Sequence, residues 1–154
     1  MSLSSKILYD QFVHELEAKW ELDESKKIAE IVFDQLFGFS RIDIFLNKSI
    51  PQSDERLAPI LQRLLNGEPV QYVLNRATFF GLSFFVNSDV LIPRQETEEL
   101  VALILKENGH TSQNFLDIGT GSGAIALALC IHRPKWKVSA CLLYTSDAAD
   151  EEDS

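Results

Sequence analysis

Phe115-Leu-Asp-Ile-Gly-Thr-Gly-Ser-Gly-Ala-Ile-Ala-Leu-Ala-Leu129 joins, without a break, an apolar strand-like run, three alternating glycines and a run rich in small helix formers. The order predicts a buried β-strand, a tight turn and an α-helix, which is how nucleotide-type cofactors are held. Gly119, Gly121 and Gly123 remove three Cβ atoms where the backbone must turn sharply and approach a ligand. Ala124, Ala126 and Ala128 let the helix lie close to its sheet. Gly119-Thr-Gly121-Ser-Gly-Ala124 also satisfies the loose dinucleotide pattern, and a turn with no ligand at all is the plainer alternative. Asp117 separates these readings. Pyrophosphate over the helix N-terminus would meet this carboxylate as a like charge, whereas S-adenosylmethionine carries a cationic ammonium and sulfonium and no phosphate. The cofactor expected is therefore S-adenosylmethionine, with Asp117, Gly119, Thr120, Gly121, Ser122 and Gly123 as its binding residues.

Upstream, the apolar pattern is helical to about residue 75. Leu8, Phe12, Leu16 and Trp20 recur at steps of four, and Ile28, Ile31, Val32 and Leu36 follow Asp23, an expected N-cap, up to Gly38 as the stop. A short helix is expected after Ser40, carrying Ile42, Ile44, Phe45 and Leu46. Leu57, Ile60, Leu61, Leu64 and Leu65 mark a fourth, with Ser53 as its cap, Gly67 as its end and Pro59 as a candidate kink. Thr78-Phe-Phe80 and Phe84-Phe-Val86 around Gly81-Leu-Ser then read as a β-hairpin, and Val90-Leu-Ile92 as a β-prone run ending at Pro93. Beyond it, Glu96 to about Glu107 is helical with Leu100, Val101, Ile104 and Leu105 on one face, and a strand is expected near Lys137–Ala140. The aromatics Tyr72, Phe79, Phe80, Phe84 and Phe85 read as packing at the junction between domains.

With 154 residues and 45% hydrophobic content, the chain has material for one ordinary core or two small ones. Its formal charge is −9, but Asp147, Asp150, Glu151, Glu152 and Asp153 cluster at the end, and setting those five aside leaves −4 on residues 1–140. No basic cluster exceeds Lys26-Lys27, so no nucleic-acid footprint is expected. No stretch approaches the ~20 apolar residues of a membrane span, and no signal peptide is evident, so a cytoplasmic location is expected by default. Cys130 and Cys141 lack metal-ligand or redox spacing, and His14, His110 and His132 are scattered, so no metal site is expected.

Four segments together carry a family resemblance: Asn66-Gly-Glu-Pro-Val-Gln-Tyr72, Phe80-Gly-Leu-Ser-Phe-Phe-Val86, Val90-Leu-Ile-Pro-Arg-Gln-Glu-Thr-Glu-Glu-Leu100 and Leu116-Asp-Ile-Gly-Thr-Gly-Ser-Gly-Ala-Ile-Ala126. Over about residues 1–140 the chain resembles the N5-glutamine methyltransferases that modify peptide chain release factors. Gln95 stands where proline is the commoner family spelling, a change tolerated before a helix.

The resemblance implies an α/β protein: a helical release-factor-docking domain (1–75), a β-hairpin connector (76–94) and the beginning of a doubly wound methyltransferase domain (95–140). It implies a loop for S-adenosylmethionine at Gly119 to Gly123, with Leu91, Arg94, Thr97 and Glu98 in the segment closing over cofactor and glutamine. The family's Asn-Pro-Pro-Tyr motif, which accepts hydrogen bonds from the substrate amide, is absent from these 154 residues, so no catalytic residue is assigned. Leu142 stands where the family leads one to expect the acid that binds ribose. Residues 141–154 read as a non-native-looking acidic tail, similar to translated sequencing-adapter read-through, with a composition that predicts disorder. The chain as given is expected to be inactive, with residues 96–140 poorly stable beside a helical domain able to fold alone. The alternatives are a non-catalytic release-factor-binding fragment, a glutamine methyltransferase acting on a ribosomal protein, and a nucleic-acid adenine methyltransferase.

Overall fold

The computed structural model describes residues 2–51 and 55–143. The chain forms two compact units, one up to Arg76 and one from Ala77 onward.

In the first unit, strand β1 (Ser2–Ser4) leads into helix α1 (Ser5–Leu16), followed by α2 (Leu22–Phe37), α3 (Arg41–Phe45), β2 (Ser49–Pro51), α4 (Leu57–Leu65) and α5 (Val70–Val73). Ser4 caps α1 by accepting from the Ile7 N–H at 3.3 Å. The helix ends at Leu16, so Trp20 lies beyond it rather than extending the stripe; its indole N–H instead donates to the Leu64 carbonyl at 3.2 Å. Asp23 is not the cap of α2. Glu21 holds that position without a side-chain bond, and Asp23 and Glu24 lie in the first turn, where acids favour the helix dipole. Gly38 closes the helix at φ 66°, donating its N–H to Asp34 and Phe33 carbonyls.

Ser40 and Asp43 cap α3 reciprocally, as a Ser with an acid three residues on permits. Pro59 does not kink α4, because it is the third helical residue, where the missing N–H has no intrahelical partner to lose. The proposed Ser53 cap lies outside the described residues. The antiparallel β1–β2 pair and α5 were not anticipated, being only three and four residues long. Arg63 binds the end of α5, donating to the Val73 carbonyl at 2.9 Å and the Tyr72 carbonyl at 3.2 Å, while its guanidinium holds the Glu68 carboxyl below its usual range. The unit's core is built on Phe33, fully buried, with Tyr9, Phe12 and Phe37 edge-on to it at centroid distances of 5.4, 6.0 and 5.4 Å. Each fully buried side chain of this size contributes about 1.5–3 kcal/mol.

In the second unit, β3 (Ala77–Phe79) and β4 (Leu82–Phe84) form an antiparallel hairpin. Its turn is Phe80-Gly81, with φ of 49° and 74°, so Leu82 and Ser83 belong to the strand and not to the turn. Two successive positive φ angles match the right-handed twist of the paired strands. Val90-Leu-Ile92 forms no strand. Helix α6 (Gln95–Glu107), β5 (Asn114–Ile118), α7 (Ala124–His132) and β6 (Lys137–Cys141) follow, and β5 and β6 pair in parallel from Asn114↔Lys137 to Ile118↔Cys141. A parallel pair needs a crossover, and α7 supplies it.

Trp136 fixes the entry to β6, stacking on Phe115 at 4.5 Å and donating to the Thr111 carbonyl at 2.9 Å. Val101 and Leu105 of α6 are buried, but Leu100 is exposed, so the apolar face of that helix is narrower than expected. β5 is not the buried strand its composition predicts. Leu116 and Ile118 are 64% and 63% exposed, because nothing among the described residues covers that side of the two-stranded sheet.

Candidate functional site

The carboxyl end of β5 delivers Asp117 to the point where the chain leaves the sheet, which is where open α/β sheets bind ligands. The turn is tied down at both ends. Gly119 and Thr120 both donate their N–H to the Cys141 carbonyl, at 2.8 and 3.1 Å, anchoring the loop to the end of β6. Gly123 donates to the Thr120 carbonyl at 2.9 Å and then serves as the N-cap of α7. Gly119, Gly121 and Gly123 have φ of 77°, 55° and 78°, a region that costs other residues about 1–2 kcal/mol. At Gly121 a Cβ would meet nothing within 4 Å, so that side of the loop is open. Ala124, Ala126 and Ala128 are buried, as close helix packing requires.

Thr120 Oγ1 donates to Asp117 Oδ2 at 2.7 Å, fixing the carboxylate beside the loop. A carboxylate held there acts on a ligand mainly through its charge. At about 4 Å and an effective dielectric near 20, unit charges interact by about 4 kcal/mol, attracting a cation and repelling a phosphate by the same amount. Ser122 lines an open cavity of ≈ 420 Å³ together with β4, Phe85, Leu127 and Ile131.

The other candidate residues are engaged differently. Leu91 is exposed, Arg94 is the N-cap residue of α6, and the Thr97 N–H returns to the Arg94 carbonyl at 3.1 Å. Glu98 Oε1 accepts from the Phe80 N–H at 2.8 Å, joining the hairpin turn to α6. Among the described residues, no hydrogen bond links these four to the glycine loop. His132 packs edge-on to the Phe80 ring at 4.9 Å, and its Nδ1 bonds the Ala128 carbonyl at 2.9 Å. Phe79 and Phe84 pack on each other within the hairpin, and Phe85 is exposed. The roles of Cys141, Glu98 and Phe80 were not legible in sequence, since each depends on a partner at least 18 residues away. Among the described residues, no three His, Cys, Asp or Glu side chains gather as metal ligands, and no helix is long and apolar enough to cross a membrane.

The family described as PrmC N-terminal domain matches residues 8–74. Over 137 residues the chain is 43% identical to a release factor glutamine methyltransferase of Streptococcus pneumoniae, an alignment that takes in 86% of this chain and 48% of the relative. A protein of the same name from Enterococcus faecalis is 47% identical over 98 residues, 63% of this chain and 35% of its own length. One from Flavobacterium psychrophilum is 38% identical over 137 residues, 84% of this chain and 48% of its own. The chain thus spans about half, or less, of the length of these curated relatives.

Proposed function

We propose, on the PrmC N-terminal domain match at residues 8–74 and the 38–47% identity to three release factor glutamine methyltransferases, that the chain is part of an enzyme of that family, one that methylates the side-chain amide N5 of a release-factor glutamine. In this reading residues 1–75 dock the release factor, 76–94 connect, and 95–140 begin the methyltransferase domain. The observation that carries the cofactor assignment is Asp117, held by Thr120 beside three positive-φ glycines. S-adenosylmethionine supplies the methyl group. Asp117 attracts its cationic end, Gly119 to Gly123 let the backbone approach it, and Thr120 and Ser122 offer hydroxyls to its polar groups. Leu91, Arg94 and Thr97 stand near the start of α6 as substrate-side residues, while Glu98 serves first as the acceptor that holds the hairpin turn.

An amide nitrogen is a poor nucleophile, so transfer needs acceptors for its N–H groups as charge develops. The Asn-Pro-Pro-Tyr run that supplies them in the family is not in this sequence. The chain by itself is therefore expected to bind without transferring. Calorimetry and radiolabel transfer test this together. The chain should give heat with S-adenosylmethionine but not with NAD, and should bind purified release factor without labelling it. The full-length S. pneumoniae relative should label the same factor. Heat from NAD with none from the sulfonium compound would overturn the assignment.

A further inference from the structure

Among the described residues β5 pairs with β6 alone, so one edge of β5 has no neighbouring strand. The Lys137 N–H donates to the Gln113 carbonyl and the Gly119 N–H to the Cys141 carbonyl, both at 2.8 Å. Bonding direction alternates along a strand, so Phe115 and Asp117 also turn their backbone groups toward β6, and Asn114, Leu116 and Ile118 turn theirs to the free edge. The same residues set their side chains on the bare face of the sheet, where Leu116 and Ile118 are exposed. Folded chains commonly blunt such an edge with lysine, proline or a bulge. Asn114-Phe-Leu-Asp-Ile118 contains neither residue, and its register with β6 runs unbroken from end to end. On β6, by contrast, Lys137 and Ser139 make the same face polar, because they lie level with Asn114 and Leu116.

A free edge of this kind accepts an extended strand, and β5 is its own complement. Set antiparallel to a second copy with a twofold axis at Leu116, Leu116 exchanges both backbone bonds with Leu116 of the copy, and Asn114 exchanges both with Ile118. Every free backbone group of the edge is then used. On the bare face Leu116 meets Leu116, with Ile118 of the copy diagonal to it, and Asp117 falls opposite Phe115. An axis at Asp117 would instead set the two carboxylates opposite each other and pair less of the strand. The acidity of the chain therefore opposes that register and leaves the one centred on Leu116.

We propose that β5 is a self-association edge, through which a second copy of this chain extends the sheet in the order β6-β5-β5-β6. Sedimentation of the full chain over a dilution series tests it and should give a reversible equilibrium between monomer and dimer. Leu116→Pro removes the N–H at the axis without touching a bond to β6, and Leu116→Lys sets two ammonium groups against each other there. Both alter an exposed side chain, and either should abolish the dimer. Phe45→Lys, at an exposed apolar residue of the first unit, should leave it intact. Hydrogen exchange on the parent needs no variant to fold. The Leu116 and Ile118 amides should exchange about tenfold more slowly in concentrated than in dilute solution, with Phe115 and Asp117 protected alike in both. A monomer at every concentration, a dimer kept by folded Leu116→Lys or lost in Phe45→Lys, growth beyond the dimer, or exchange at Leu116 that ignores concentration would each overturn the proposal.

Discussion

Asp43 accepts hydrogen bonds first from Lys48 and then from the Ser40 hydroxyl and N–H, which draw its carboxyl down from 3.8 to about 2. A carboxylate whose folded value lies below its unfolded one adds stability above the unfolded value and loses it as pH falls toward the folded one. The contribution of Asp43 is therefore complete above pH 3.8 and lost as the pH drops toward 2. Carbon-detected NMR titration should find its midpoint near 2, and Lys48→Met should move it back toward 3.8. Ser40 and Asp43, three apart, were legible as a cap because the contact is local. Lys48 was not, since its approach depends on how the chain leaves α3. The tight turn at the three glycines was legible for the same reason as the cap, but nothing in the spacing announced that the Cys141 carbonyl would anchor their loop.

Among the elements, the hairpin shows how a turn acquires a remote support. Phe80 sits at φ 49°, unusual for an aromatic residue, and its N–H is held by Glu98 of α6. Removing that acceptor should cost about 1–2 kcal/mol. Glu98→Ala should accordingly speed amide exchange at Phe80 by roughly tenfold, the same energy expressed as an opening equilibrium. Glu98→Gln, which keeps an acceptor oxygen, should restore most of the protection. Unaltered exchange in Glu98→Ala would mean that the bond does not support the turn. Helix interiors followed their apolar period, while their ends moved: Trp20 fell outside α1 and Asp23 fell inside α2. Ends are set by small differences in capping and by side chains with better partners elsewhere, as Trp20 has at Leu64.

At the scale of the molecule, the two units differ in how fully their apolar surface is used. Helices α1, α2 and α4 enclose Phe33, whereas Leu116, Ile118, Leu127 and Ile131 of the second unit are left open. Residues 1–76 made alone should keep a cooperative thermal melt, and limited proteolysis of the full chain should cut first beyond Arg76. A fragment that melts without cooperativity would refute this. From the sequence alone came the helical first unit, the hairpin and the strand-turn-helix around Gly119, because periodicity, capping and backbone torsion act within a few residues. Tertiary structure alone decided that β5 stands half-open, that Glu98 holds a turn, and that α3 buries Ile44 while Ile42 and Phe45 stay exposed. Burial and hydrogen-bond partners at long range depend on what else the fold brings alongside, and no short stretch of sequence records that.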